Sequence, residues 1–205
     1  MASVLGHALA GVAASRVPAQ GERRKMLFSP EVTIAALALA VAPDLDIVIW
    51  ILFKPAGMNP HRGASHSIAI ALALAAVAWL VVSRGGKRGG AVLPLTLGLA
   101  ALTHPLLDYL MGCGPPVPLL WPLTDRGWLS PVQLIPTAYY SRTLSGIASI
   151  VLDPRSIRGF ILEIMIFAPL LAAQKYSTPR ARLTWWLPCA LLSLFAVFAV
   201  YLIYN

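Results

Sequence analysis

Five apolar runs, at residues 31–53, 68–82, 91–111, 159–173 and 185–204, leave this chain few folds to choose from. A bilayer core of ~30 Å is crossed by about 20 apolar residues in a helix, and a lipid-exposed backbone must satisfy its polar groups within the segment. The runs therefore predict an all-α, polytopic membrane helix bundle with about five spanning helices. A 58% hydrophobic, 12% charged composition and a mean hydropathy of +0.74 exclude an ordinary soluble domain. Residues 1–14 are apolar but too short to span, so they are expected to form a short, partly inserted N-terminal helix carrying His7. The usual basic n-region of a cleaved signal peptide is missing from this stretch.

Lys and Arg outnumber Asp and Glu by 16 to 8, a balance that in other contexts points to nucleic acid. Here the cations fall in short segments between apolar runs, at 16–25, 84–88 and 175–182, as cytoplasmic loops do, so no nucleic-acid partner is expected. Placing these three segments inside puts the alternate connections outside. Cys113 and Cys189 are far apart and form neither a disulfide framework nor a thiolate metal site. The chain reads as a single domain, 1–205. Its motifs lie in 1–126, a proline-rich interfacial segment covers 112–158, and the last spans lie in 159–205. No internal repeat is present.

The informative residues are the polar ones inside or beside the apolar runs. His61-Arg62-Gly63-Ala64-Ser65-His66 sits between the first two full runs and holds two of the four histidines. Pro43-Asp44-Leu45-Asp46 interrupts the first. Proline cannot donate its backbone bond but fits a first helical turn, where carboxylates meet the positive dipole end. Two half-helices with Asp44 and Asp46 at the break are expected. A pair at i, i+2 does not share a helix face. Either the backbone is irregular and both acids bind metal, or one binds and the other orients a histidine. His104 and Asp108 are four residues apart, with Pro105 favouring a kink or a new helix start between them. Glu163 lies in the fourth run, about one turn below its expected outer end.

Counting rise from the cytoplasmic ends puts Asp46 roughly 22 Å, His66 roughly 27 Å, His104 roughly 20 Å and Asp108 roughly 26 Å up their spans, with His7 roughly 14 Å above Arg16. These residues and Glu163 thus share the outer half of the membrane. Asp44, Asp46, Asp108 and Glu163, unpaired and ionised at that depth, would together cost on the order of 10 kcal/mol. Bound cations offset such a cost, and histidine with carboxylate is a normal ligand set for zinc or manganese.

The combination of Gly6-His7, Pro43-Asp44-Leu45-Asp46, His61-Arg62-Gly63-Ala64-Ser65-His66-Ser67, His104-Pro105-Leu106-Leu107-Asp108 and Pro118-Leu119-Leu120-Trp121-Pro122 resembles the YdjM-like, LexA-regulated group of membrane-bound metal-dependent hydrolases over about residues 1–126. Ser65 stands where that family usually has threonine, and the hydroxyl is retained. More distantly, the order of His, Asp, His and HxxxD is similar to that of zinc-dependent phospholipase C and the fungal zinc nucleases. The resemblance implies His7, Asp46, His66, His104 and Asp108 as core metal ligands, with Asp44, His61 and Glu163 as further ligands or their supports. It implies one or more divalent ions, zinc or manganese, that activate water near neutral pH.

On this reading Arg62 holds a phosphate oxygen in a bidentate fork and Asp44 acts as general base. The expected activity is hydrolysis of a phosphoester in a membrane lipid or lipid-linked substrate, by a multi-pass protein of the inner or plasma membrane whose site is near the outer face. The rivals are a divalent-cation transporter and a non-catalytic membrane protein stapled by its metal. The sequence carries no signal for oligomeric state.

Overall fold

The computed structural model describes residues 3–19, 21, 23–53, 61–86, 90–137, 146, 150, 152–174 and 179–205. Helix α1 (Val4–Ser15) is capped by Ser3, whose hydroxyl accepts from the Gly6 N–H. A single turn of helix, α2 (Arg23–Leu27), leads into α3 (Pro30–Val41), which starts on Ser29 as cap with proline in its first turn. A 3₁₀ turn, Ala42–Asp44, joins α3 to α4 (Leu45–Phe53). This is the interruption expected at Pro43, which has no N–H to continue the α ladder.

A second 3₁₀ turn, Ala64–His66, precedes α5 (Ile68–Arg84), whose cap Ser67 accepts from the Ile70 N–H. Then follow α6 (Val92–Leu110), α7 (Pro154–Gln174) and α8 (Pro179–Tyr204). The described residues are helical with no named strand, so the all-α membrane fold stands.

Its helices are less equal than the sequence suggests. Among the described residues three stretches are long and apolar enough to cross a membrane, Pro30–Trp50, Pro154–Gln174 and Thr184–Tyr204, while Val4–Ser15 and Ile68–Arg84 are shorter apolar helices. The fourth run begins five residues earlier than residue 159, at Pro154. Glu163 consequently lies deep in α7, not one turn from its end. Helix α6 also passes through Pro105 without ending there. The sequence also allows a short helix at 145–152 and places Tyr139 and Tyr140 at the membrane interface; most of that helix and both tyrosines lie outside the described residues.

Helix α6 is the axis of the bundle, packed against α1, α3 and α5. Its buried residues Leu93, Leu97, Ala100, Ala101, His104 and Asp108 recur at helical spacing, so the histidine and the aspartate continue an apolar stripe. On one side, Leu93, Leu97 and Ala101 join Leu27, Val32, Leu39, Ala71 and Ala75. On the other, Leu107 joins Ala10, Leu162, Ile166, Phe167, Ala196 and Val200. Large apolar side chains on the outward faces, such as Leu72, Leu80, Leu191, Phe195 and Leu202, stay exposed, as a lipid-facing surface requires.

After α6 the chain folds back over the same end of the bundle. Val117 and Trp128 exchange backbone bonds of 2.9 and 2.8 Å, and Leu119 accepts from the Ile68 N–H. Ser130 and Leu134 bond to the carbonyls of Tyr109 and Leu110, and Asn205 at the end of α8 clasps Gln133. At the start of this segment, the carbonyls of Cys113 and Pro115 accept from the Arg62 guanidinium.

Candidate metal centre

Three helices, one 3₁₀ break and one loop deliver the polar cluster. His7 comes from the second turn of α1, Asp44 from the 3₁₀ break, Asp46 from the first turn of α4, His61 and His66 from the loop before α5, and His104 and Asp108 from α6. Each of these side chains is at most 5% exposed. The break matters because it points Asp44 and Asp46, two residues apart, to opposite sides of the same pair of imidazoles.

Asp44 faces the inner nitrogens. Its Oδ1 lies 3.9 Å from His61 Nε2, 3.6 Å from His66 Nε2 and 3.6 Å from His104 Nε2. Asp108 Oδ2 lies 3.5 Å from His66 Nε2 and 3.8 Å from His104 Nε2, and its Oδ1 is 3.6 Å from His7 Nε2. These separations exceed a hydrogen bond, but they approach the ~3.3 Å edge between two ligands on one tetrahedral ion bound at ~2.0–2.1 Å. The rings pack closely, with His7 stacked on His104 at 3.9 Å and His66 edge-on to both His61 and His104.

The opposite ring nitrogens are held from behind. His104 Nδ1 contacts the Ala40 carbonyl at 2.7 Å, which fixes the proton on Nδ1 and leaves the Nε2 lone pair facing inward. Asp46 Oδ1 does the same for His61 Nδ1 at 3.1 Å. The Ser65 hydroxyl donates to Asp46 Oδ2 and sits 3.0 Å from His66 Nδ1. Backing of this kind orients metal-binding histidines and raises their basicity.

The consequence is a set of buried atoms with no hydrogen-bond partner among the described residues: His7 Nε2, both oxygens of Asp44, His66 Nε2, His104 Nε2 and Asp108 Oδ2. Orphaned lone pairs at such depth are costly unless something binds them. Among the described residues three combinations have ligand atoms close enough to hold an ion: His7 with Asp44 and His104, Asp44 with His61 and His66, and His66 with His104 and Asp108. Asp44, His66 and His104 are each shared by two of them. The donor set therefore fits a divalent metal.

Two sequence expectations look different in place. Glu163 has both oxygens engaged by Ser3, one by the backbone N–H at 2.7 Å and the other by the hydroxyl, so it braces the start of α1 and belongs to none of the three combinations. A Cβ on Gly6 would sit 2.5 Å from the Glu163 carboxyl carbon, so a larger residue there would push that carboxylate from its place against Ser3.

Arg62 does not extend outward. With φ at 63°, in the region costly to non-glycine residues, its guanidinium is turned inward. There it donates to the carbonyls of Cys113 and Pro115 at 2.9 and 2.6 Å and to Asp108 Oδ1 at 3.3 Å. It ties the chain after α6 to a carboxylate of the cluster. The contributions of Ser65 and the Ala40 carbonyl were not singled out from sequence as parts of the site. Ser65 was visible as a hydroxyl beside a histidine, whereas a backbone carbonyl leaves no trace in residue type.

Comparison with known proteins agrees with the motif pattern and extends it. A family model described as YdjM inner membrane protein matches residues 1–203, well past the 126 residues over which the motifs run. The chain is 29% identical over 116 residues, 56% of its length and 67% of the relative's, to inner membrane protein YbcI of Escherichia coli (strain K12). No solved structure matches. With its apolar helices and its buried histidine and aspartate cluster, this chain belongs to the YdjM inner membrane protein family.

Proposed function

We propose that the cluster is the metal centre of a membrane-bound hydrolase that cleaves a phosphoester of a lipid or lipid-linked substrate. The observation that carries the reading is the convergence of orphaned imidazole nitrogens and carboxylate oxygens on one buried point. His7, Asp44, His61, His66, His104 and Asp108 are the proposed ligands, with zinc favoured by the mixed nitrogen and oxygen donors and manganese as the alternative. When bound, such an ion supplies an acidified water and a Lewis acid for a phosphoryl oxygen.

The protein's own groups have separate tasks in this proposal. Asp44, adjacent to three histidines, serves as a shared ligand instead of a free base. Asp46 and Ser65 hold His61 and His66 in the tautomer that leaves Nε2 available. Arg62 fixes Asp108 and the 113–115 backbone, acting as a positioning residue in place of a phosphate fork. An apolar groove of about 240 Å³ lined by Ile68, Leu102, Pro105, Leu106, Tyr109 and Leu119 runs beside the cluster and suits an acyl or isoprenoid chain. The proposed orientation, with basic segments inside, turns this layer toward the outer face.

A second reading has an observation of its own. The near-complete burial of every ligand candidate favours a metal that staples the helices without turnover. Metal analysis of purified wild type, His66→Ala and Asp108→Ala, run beside an assay for water-soluble phosphate released from lipid extracts, separates the readings. The hydrolase predicts stoichiometric metal and phosphate release in wild type, with both reduced in the variants. Metal retention without release supports the staple, and metal uptake into sealed vesicles supports a cation transporter. Equal, sub-stoichiometric metal in all three proteins ends the metal reading.

A further inference from the structure

The end of the bundle away from the cluster carries a different set of charges. Arg16, at the close of α1, and Arg24, on α2, both stack on Phe28, with guanidinium carbons 4.4 and 4.2 Å from the ring centroid. Arg24 also donates to the Gln174 carbonyl at the end of α7. Two guanidiniums gathered on one ring repel each other. Burial, followed by the charge of Arg24, holds the Arg16 guanidinium below its usual pKa. These residues line a small niche of about 60 Å³ with Val17, Ala19, Gln174 and Trp186.

Two buried polar atoms in that niche lack partners. Arg16 Nε is a donor with nothing to donate to, and Gln174 Oε1, on a side chain 7% exposed, is an acceptor with nothing to accept. The amide nitrogen of Gln174 is already committed to the Ala13 carbonyl, so its oxygen is held facing away from that bond. The niche therefore presents an unsatisfied cationic donor and an unsatisfied acceptor together.

It also opens into an apolar groove. Val17, Gln174 and Trp186 line both the niche and a groove of about 280 Å³ bounded by Ala10, Ala13 and Ala14 of α1, Thr103, Leu106 and Leu107 of α6, and Phe167 and Leu170 of α7. The small side chains of α1 create this groove. Trp186 stands at the junction, the position of an indole at the interface between headgroups and acyl chains.

We propose that this niche and groove form a binding site for one anionic phospholipid, seated at the end of the bundle opposite the metal cluster. The phosphate meets Arg16 and Arg24, a headgroup hydroxyl such as that of phosphatidylglycerol donates to Gln174 Oε1, and an acyl chain lies along Ala10, Ala14, Leu106 and Phe167. A lipid supplies both the anion and the chain, which a soluble phosphate does not. The headgroup niche shares no side chain with the metal cluster, although the acyl groove reaches Leu106, which also lines the groove beside the cluster; occupancy of the niche does not depend on the metal reading.

The test uses the full-length protein in nanodiscs of phosphatidylcholine alone or of phosphatidylcholine with phosphatidylglycerol. Lipid retained on release is counted by native mass spectrometry and thermal stability is measured in parallel. Wild type is expected to retain phosphatidylglycerol in preference to phosphatidylcholine and to melt higher in the mixed discs. Arg16→Gln and Arg24→Gln should each cut that preference about fivefold, the effect of one cation at a membrane surface. Ala14→Leu, which fills the groove and leaves both arginines, should reduce retention while phosphatidylcholine discs show it folded. Equal retention of the two lipids by wild type, or a preference unchanged in Ala14→Leu and the arginine variants, overturns the site.

Discussion

Asp44 and Asp46 are two positions apart in sequence and have different surroundings, one facing the Nε2 atoms of three histidines and the other bonded to His61 Nδ1 and Ser65. If Asp46 acts through the histidines, Asp46→Asn should weaken metal binding by about 10–100-fold without abolishing it. Competition with a metallochromic chelator measures this. A loss as complete as that in His66→Ala would make Asp46 a ligand itself. Arg62 supports a second prediction. Arg62→Ala leaves Asp108 and the carbonyls of Cys113 and Pro115 without their donor, and breaking a buried pair from one side destabilises by about 3–5 kcal/mol. Chemical unfolding of the metal-free protein reads that loss, and Arg62→Lys should recover only part of it, because an ammonium cannot reproduce the fork. The ligand candidates were legible because ionisable groups are rare at membrane depth. The inward turn of Arg62 was not, since its partners follow it by some fifty positions.

At the level of elements, the cluster depends on how closely α1 approaches α3. A Cβ on Gly11 would overlap the Ala40 side chain and lie 3.1 Å from the Ala36 carbonyl oxygen. Small residues at such crossings are what let membrane helices meet. One turn above Gly11 on the same face is His7, and Ala40 is the residue whose carbonyl holds His104. Gly11→Ala should therefore cost about 1–3 kcal/mol of stability and weaken metal binding at the same time. Ala40→Gly in that background should restore part of both, a coupling that a double-mutant cycle measures. Recovery of stability without recovery of metal binding would separate the crossing from the centre. The break at Pro43 was legible in the sequence because proline lacks a donor. At Pro105 the sequence left a kink and a new helix start open, and α6 continues without a restart because a helix packed against α1, α3 and α5 tolerates the missing backbone bond.

For the whole molecule, a metal bound among α1, the 3₁₀ break, the 61–66 loop and α6 would join elements distant in the chain. Ligand that binds only the folded state stabilises it by about 2.7 kcal/mol at a hundredfold excess over Kd. Stripping metal with a membrane-compatible chelator should lower the melting temperature by a corresponding amount, and zinc or manganese should restore it. The shift should be absent in Asp108→Ala. An unchanged melting temperature in wild type that had demonstrably lost its metal would mean the helices hold the cluster without help.

The sequence by itself determined the membrane-embedded, all-helical character of this protein, the break at Pro43 and which polar residues interrupt the apolar runs, because hydrophobic length and the penalty for buried charge depend only on residue type and order. Which lone pairs face one another was decided by tertiary structure alone. Glu163 shares the burial of the cluster and yet spends both oxygens on Ser3, while Asp44 leaves both of its own unpartnered. That difference comes from the close packing of α1 against α7 at Gly6 and from the turn that aims Asp44 at three rings. Such directions are set by contacts between segments far apart in the chain, which residue counting cannot supply.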